Sequence, residues 1–262
     1  MTYADYRAMK ALSNTGMTYL RRSPAHYQAW RNGELDAEPT LSQQFGILVH
    51  LAILEPEKFE TTCVTWNGDK RTKQGQELYE HWENQGKIII KTTSWHRIKA
   101  IREAVLSHPI AQHLIESSQH EVIKTWTDSI SGAECKCRAD GVNNTFIIDL
   151  KTVLDASPEA MSRCVAHYEI HRQAAFYLDG FKKQEFFLIA AEKTAPHPVA
   201  VYRIPEHVIS IGRDIYQPLA KVYQYCIDND EWPAYPKEIS DLHLPRWAIP
   251  TEAHTDFFDL VA

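Results

Sequence analysis

The chain has 262 residues, of which 44% are hydrophobic and 24% charged, and it carries a formal net charge of −6. This composition is typical of an ordinary globular protein with one main core, and five cysteines are too few for a disulfide scaffold. The acidic balance argues against a broad basic face for duplex DNA, although a confined positive track stays compatible with it. The apolar runs are too short to span a bilayer, and the N-terminus lacks an apolar secretory segment. We therefore predict a cytoplasmic protein with no membrane partner.

The first 120 residues are predicted to be mainly helical. Thr40 or Ser42 can cap a helix over residues 43–54, and that helix carries apolar residues on every side, so we expect it to be buried all round. Residues 61–85 are polar and interrupted by glycines, which predicts exposed or mobile structure. A further helix is predicted around residues 94–106.

Residues 121–204 contain the predicted sheet. Three β-like runs, over residues 121–128, 133–139 and 146–151, are separated by turn residues and indicate an antiparallel meander. A helix follows over residues 157–178, then strands over residues 186–191 and 199–204, and a last helix over residues 205–228.

The order of elements predicts an α/β fold of the α+β type. We expect a central mixed sheet of about five strands, flanked by helices and preceded by a helical extension. The whole chain, residues 1–262, is interpreted as a single domain, with a mainly helical part (1–120), a central sheet and helix (121–204), and a C-terminal helix and tail (205–262). Aromatic residues of the tail either stack on bases or anchor the tail, and both interpretations stay open for Trp232, Tyr235, Trp247, Phe257 and Phe258.

Charged residues lie on an otherwise apolar strand. Period-two alternation over residues 146–151 places Asp149 and Lys151 on one face, and Asp140 can reach the same edge from the preceding strand if residues 141–145 form the turn. The two aspartates and the carbonyl of Leu150 could hold Mg²⁺, while Lys151 orients the attacking water and stabilises charge on the phosphate. The motif alone is equally compatible with a surface ion pair on an edge strand.

Two features outside this strand favour the site. His50 lies in an apolar helix, where a buried imidazole needs a metal, a carboxylate or a backbone carbonyl as its partner. Gln173 and Tyr177 share a helical face one turn apart, although a helix surface with an amphipathic tyrosine would show the same spacing.

Two other metal sites are disfavoured. His167 and His171 lie four residues apart with Cys164 nearby, but their spacing to Glu169 does not match that of zinc metalloproteases. Cys135 and Cys137 have no further cysteines at cluster-like spacing, which argues against an iron–sulfur cluster.

Taken together, the residues resemble the RecB-type branch of the PD-(D/E)XK nuclease superfamily. The segments Ser13–Met17 and Ser23–Tyr27, Phe45–Phe59 with His50, Asp149–Thr152, and His171–Tyr177 are similar to the RecE, or exodeoxyribonuclease VIII, type of nuclease. The likeness covers most of the chain and is to the C-terminal nuclease domain of a longer polypeptide.

The resemblance implies site roles. His50, Asp140 and Asp149 would bind metal, Lys151 would position water, and Gln173 and Tyr177 would support the site and its phosphate. Glu121 is a further candidate metal ligand, and phosphate contacts are candidates at Arg21, Arg22 and Lys73, for which solvated surface charge is the ordinary alternative.

The resemblance also implies an activity and partners. The expected activity is an Mg²⁺-dependent exonuclease, with Mn²⁺ as a substitute, that degrades the 5′ strand of linear double-stranded DNA and leaves a 3′ overhang. The expected partners are an annealing protein of the RecT type and further copies of the chain in a ring, with a tetramer favoured. An endonuclease and a non-catalytic DNA-binding module on the same fold are the alternatives.

Overall fold

A computed structural model of the protein describes residues 3–35, 38–245 and 248. A short parallel pair of strands lies in the N-terminal half, and a five-stranded sheet forms the centre. The helices are α1 (Tyr3–Ala8), α2 (Asn14–Leu20), α3 (Pro24–Arg31), α4 (Leu41–Leu54), α5 (Pro56–Thr62), α6 (Lys73–Asn84), α7 (Thr92–Ser107), α8 (Pro109–Glu116), α9 (Pro158–His167), α10 (Ile170–Phe181) and α11 (Glu206–Asn229). The strands are β1 (Cys63–Trp66), β2 (Ile88–Lys91), β3 (Gln119–Thr127), β4 (Glu134–Val142), β5 (Phe146–Val153), β6 (Glu185–Glu192) and β7 (Val199–Arg203).

The central sheet has the order β3-β4-β5-β6-β7. Strands β3, β4 and β5 form the predicted antiparallel meander. Strand β6 then pairs with β5 in parallel, after the crossover through α9 and α10, and β7 returns antiparallel to β6. The mixed α/β sheet of five strands flanked by helices is therefore confirmed.

Alternation along β5 separates the two cores of the protein. Ile147 belongs to the core formed with α2, α3, α10 and α11, whereas Ile148 and Leu150 belong to the core formed with α4, α5, α7 and α8. Strand β5 is thus covered on both faces, as strands with a parallel neighbour usually are. Charged side chains on this strand are consequently held in a buried place.

Helix α4 is not buried all round, contrary to the expectation from its composition. Leu41 is 85% exposed and Ile47 is 59% exposed, while Val49 and Ile53 are buried. The helix packs on the sheet with one side only, so its apolar composition does not predict which of its residues are buried. Thr40 caps it and forms a capping box with Gln43.

Two stretches contain structure that the sequence did not predict, although residues 61–85 are mostly exposed, as expected. Residues 61–85 include strand β1 and helix α6, and β1 pairs with β2 in a parallel register that local sequence does not reveal. The predicted helix 157–178 is two helices, because Glu169 adopts a left-handed conformation with φ of 52°. A left-handed residue cannot continue an α-helix, so α10 starts in a new direction.

The first part of the tail is anchored to the body of the protein. Trp232 stacks on Tyr27 with ring centroids 5.6 Å apart, and Tyr235 contacts His26 at 6.1 Å. Trp247, Phe257 and Phe258 lie outside the described residues. Among the helices of the described part, none has the length and apolar character needed to cross a membrane.

Candidate active site

Strands β4 and β5 separate at Asp140. Their ladder consists of the pairs Gly141↔Ile148 and Val142↔Ile147, and beyond these the Leu150 N–H donates to Asp140 Oδ2 at 2.7 Å. A carboxylate thus takes the place of a backbone acceptor at the point where the sheet opens. Residue 141 must be small here, since an added Cβ would lie 2.6 Å from Ile148 Cγ1.

The carboxylate of Asp149 is the centre of the opening. Lys151 Nζ lies 2.7 Å from Asp149 Oδ2, and Gln173 Nε2 on helix α10 donates to Asp149 Oδ1 at 2.7 Å. The Asp149 side chain is 5% exposed and that of Lys151 is 30% exposed. The structure therefore brings the predicted strand pair and the predicted glutamine together.

Helix α4 contributes His50 from the other side of the sheet. His50 Nδ1 lies 3.5 Å from Asp140 Oδ2. Gly46, one turn earlier, favours the approach, because a Cβ added there would lie 3.2 Å from Thr152 Oγ1 on β5. The close packing of α4 against β5 thus places the histidine beside the first aspartate.

The charges in this opening change the pKa of each group. Burial raises the pKa of Asp149, and the nearby Asp140 carboxylate raises it further, while Lys151 and His50 act in the opposite sense. Burial alone would lower the pKa of Lys151, but Asp149 and Asp140 outweigh it and hold that pKa above its ordinary value. Lys151 is therefore an ammonium, which donates protons in hydrogen bonds and stabilises negative charge.

Tyr177 lies one helical turn after Gln173 on α10. Burial raises the pKa of its phenol well above the ordinary value, and Cys137, Tyr6 and the two aspartates add to the effect. The phenol therefore stays neutral. The structure thus brings five of the predicted residues to one place: His50, Asp140, Asp149, Lys151 and Gln173, with Tyr177 at its edge.

Glu121 is differently engaged. Its Oε2 lies 2.5 Å from Arg138 Nε, and its backbone adopts φ of 55°, a strained conformation for a residue with a side chain. It faces Asp140 across β3 and β4, at a position where the ladder is interrupted between His120↔Gly141 and Val122↔Ala139. The structure thus pairs this candidate ligand with an arginine beside the site.

The raised pKa of the Glu121 carboxyl predicts that the stability of the protein depends on pH. Burial raises its pKa to about 7; Arg138 opposes the shift, Asp140 and Glu55 add to it, and Lys58 opposes it. The folded state therefore binds the carboxyl proton of Glu121 more tightly than the unfolded state does. The stabilisation of the folded state by this proton is complete below about pH 4.5 and is lost as the pH rises through about 7. We expect Glu121→Gln, in a chelator, to raise the melting temperature at about pH 8 and to change it little at about pH 5.

Thermal unfolding followed by circular dichroism checks this expectation. Glu134→Gln, at the exposed far end of β4, is the matched control and should leave the melting temperature unchanged at both pH values. An equal shift for Glu121→Gln at both pH values would contradict the assignment.

The three candidate phosphate contacts lie on exposed surfaces. Arg21 forms an ion pair with Glu169, and Lys73, on α6, lies 3.9 Å from Glu77. Arg22 is exposed. Arg21 and Lys73 already have carboxylate partners, and the role of the three cations in DNA binding stays a prediction.

Arg172 is a supporting residue to which the sequence assigned no role. Its side chain is buried, with Nε donating to Asn14 Oδ1 at 3.0 Å and Nη2 donating to Thr18 Oγ1 at 2.8 Å, and Nη1 pairs with Glu169. It directly precedes Gln173 and ties α10 to α2. An arginine between buried residues of a helix is a signal that could have pointed to it.

The donor set at the opening fits a hard divalent cation. No group of three or more His, Cys, Asp or Glu side chains in residues 3–35, 38–245 and 248 encloses a metal position by itself. Mg²⁺, however, usually takes one or two carboxylates and retains several waters. Two adjacent carboxylates provide this, and the buried Oδ2 of Asp149, although close to Lys151, makes no aligned hydrogen bond to a described residue. The Leu150 carbonyl points to the same side as its N–H, towards the opening.

Solved structures with a similar fold are known. A crystal structure of a candidate exonuclease from Eubacterium rectale is similar, with a TM-score of 0.62 and 15% identity over 100% of this chain and 98% of that chain. A phage-related exonuclease from Haemophilus somnus 129PT matches with a TM-score of 0.36 and 11% identity, over 86% of this chain and 98% of that one. No curated protein matches the chain.

The family comparison covers most of the sequence. Residues 13–243 match the model described as a PDDEXK-like domain of unknown function. Nucleases of the PD-(D/E)XK type generally use divalent metal ions. The match spans both the helices and the sheet that build the opening, and the chain belongs to this PDDEXK-like family.

Proposed function

We propose that this protein is a divalent-metal-dependent DNA nuclease whose active site is the opening between β4 and β5. The observation that carries the proposal is the pair Asp140 and Asp149 at the divergence of the two strands, with Lys151 at 2.7 Å from the second carboxylate. Phosphodiester hydrolysis needs oxygen ligands for a metal and a cation beside them, and this arrangement supplies both.

Each residue has a distinct role in this proposal. Asp140, Asp149, His50 and the Leu150 carbonyl would hold Mg²⁺, or Mn²⁺ in its place. The bound ion would polarise the phosphate and lower the pKa of a bound water. Lys151 would donate a hydrogen bond to the attacking water or to the phosphate oxygen on which charge develops.

Gln173 and Tyr177 act on the aspartates rather than on the phosphate. Gln173 donates to Asp149 Oδ1 and leaves Oδ2 facing Lys151, which fixes the orientation of the carboxylate. Tyr177 is a neutral donor close to the same carboxylates. A fixed carboxylate loses less entropy when it binds a cation, so both residues favour a preformed site.

The finer activity that we propose is exonucleolytic. The RecE-like motifs support degradation of the 5′ strand of linear double-stranded DNA to leave a 3′ overhang for a RecT-type annealing protein. They also support a ring of several copies, with a tetramer favoured, in which only the central channel need be positive. A ring would reconcile the net charge of −6 with a polyanionic substrate.

The test uses purified protein with linear and covalently closed duplex DNA. We expect nucleotide release from the linear duplex with Mg²⁺ and none with EDTA, and the closed circle should remain intact. Labelling each 5′ end and each 3′ end in turn identifies the strand that is degraded. Cleavage of the closed circle would favour an endonuclease on the same fold.

A non-catalytic DNA-binding module is the second possibility. In that case the linear duplex stays intact in Mg²⁺ and Mn²⁺, and calorimetry shows no metal binding that depends on Asp140 and Asp149. The buried Asp149 carboxylate argues against it, because a charge with 5% exposure is costly to keep in a fold that makes no use of it.

A further inference from the structure

Two cations lie together beyond the end of the catalytic strand. Lys193 follows β6, and its Nζ donates to the hydroxyl of Ser42 at 2.6 Å. The guanidinium of Arg97, on α7, lies over the Phe45 ring at 4.0 Å from its centroid. Ser42 and Phe45 lie about one turn apart on α4, so their contacts bring the two positive charges close together. Burial lowers the pKa of Lys193, and Arg97 lowers it further.

Within the described ranges, neither cation has a carboxylate partner. Other basic side chains do: Arg213 binds Asp179 and Glu206, Arg71 binds Asp69, and Lys58 binds Glu55. Lys193 instead donates its hydrogen bond to the neutral hydroxyl of Ser42. Two adjacent cations without a counter-charge are unfavourable by themselves and are stabilised when an anion binds between them.

The pair is fixed to both elements that build the active site. The backbone N–H of Lys193 donates to the Val153 carbonyl at 2.9 Å, which places Lys193 beside the end of β5. Ala190 is the register partner of Lys151, and Lys193 lies three positions beyond it, which corresponds to about 10 Å at about 3.3 Å per strand residue. Along α4, the eight residues from Ser42 to His50 correspond to about 12 Å.

This distance suits the substrate. Successive base pairs of a duplex rise by about 3.4 Å, so about 10–12 Å spans a few nucleotides of a strand. Ser42 also lies in the first turn of α4, where backbone N–H groups and the helix dipole add positive potential. Its hydroxyl accepts from Lys193 and is left with its own proton to donate to an anion.

We propose that Lys193, Arg97 and Ser42 bind a non-scissile phosphodiester of the DNA, a few nucleotides from the bond that is cleaved at Asp149 and Lys151. The proposal rests on the nuclease function proposed above. The two side chains provide charge-assisted hydrogen bonds, and Phe45 holds the guanidinium of Arg97 in place. The contact positions the strand and carries no sequence information.

The test compares a double variant, Lys193→Ala with Arg97→Ala, with the wild type. Binding of a fluorescently labelled duplex oligonucleotide is measured by anisotropy in EDTA, at a series of salt concentrations, and hydrolysis of linear duplex is measured in Mg²⁺. We expect Kd and KM to rise by about tenfold or more. The slope of log Kd against log salt should decrease by about 0.9 for one lost phosphate contact, and kcat should stay unchanged.

The matched control removes the same charges at the opposite end of the strands. Lys183 donates to the Asn144 carbonyl before β5, and Arg203 pairs with Glu185 at the start of β6. The double variant Lys183→Ala with Arg203→Ala should keep the wild-type Kd and salt slope. Lys193→Gln, which retains a donor for Ser42 without the charge, should also raise Kd and guards against a folding defect of the double variant.

The outcomes separate the two proposals. Wild-type Kd and salt slope in both Lys193 variants would overturn the phosphate site while leaving the nuclease function intact. A fall in kcat at unchanged KM would overturn it as well. A wild type that binds DNA through these residues but hydrolyses none would support the phosphate site and contradict the nuclease.

Discussion

Replacing Lys151 by alanine is expected to lower kcat for hydrolysis of linear duplex DNA by roughly 10²–10³-fold. Lys151 Nζ is 2.7 Å from Asp149 Oδ2 and supplies the positive charge closest to that carboxylate. The variant loses the donor that stabilises charge on the phosphate, whereas the carboxylates remain. Metal binding measured by calorimetry should therefore persist in Lys151→Ala and be lost in Asp149→Asn.

Two further variants make the result specific. Lys124→Ala removes an exposed lysine from β3 and should keep the wild-type rate. Lys151→Arg preserves the charge, but a planar guanidinium does not fit the place of a compact ammonium, so little activity should return. A wild-type rate for Lys151→Ala would remove the lysine from the mechanism.

Strand β5 could be predicted because the residues that define it lie close together in the sequence. Asp149 and Lys151 are two residues apart on a strand whose apolar neighbours define both faces, and Asp140 precedes a short turn. Period-two alternation and turn residues are sufficient to place these side chains on one edge. The β3-β4-β5 order and the β6-β7 pair follow from the same pattern, since consecutive strands with short connections pair, whereas β6 joins β5 through the crossover of α9 and α10.

The remaining parts of the site depend on contacts between distant residues. His50 reaches Asp140 because Gly46 allows α4 to approach Thr152, and the apolar sequence of α4 predicted full burial instead. The break between α9 and α10 depends on Glu169, which is held in a left-handed conformation where Arg21 and Arg172 meet it. Neither arrangement has a signature within a window of a few residues.

Charge partners show the same dependence on tertiary structure. Lys193 and Arg97 are 96 positions apart in sequence, and only the packing of α4 and α7 on the sheet brings them together. Conversely, Arg21 was a candidate for a phosphate contact, and the fold pairs it with Glu169. Composition and spacing identify which residues carry charge, whereas the folded chain decides which charges are already neutralised.

Replacing Arg172 by alanine is expected to lower the free energy of unfolding by about 3–5 kcal/mol, the usual cost of breaking a buried ion pair. Arg172 is 1% exposed and its guanidinium binds Asn14, Thr18 and Glu169. Its removal leaves these groups without their donor and creates a cavity between α2 and α10. For a chain of this size the melting temperature should fall on the order of 10 °C.

The active site should respond to the same substitution through the next residue. Gln173 holds Asp149 in place, and it lies on the first turn of α10, which Arg172 fastens to α2. At a temperature where the variant is folded, kcat should therefore fall while KM changes little, since no DNA contact is removed. Arg163→Ala, an exposed arginine on α9, is the control and should alter neither quantity. A loss of 1 kcal/mol in the free energy of unfolding already lowers the melting temperature by about 2–4 °C. A melting temperature of Arg172→Ala within about 2 °C of the wild type would therefore show that the contacts of Arg172 contribute little to stability.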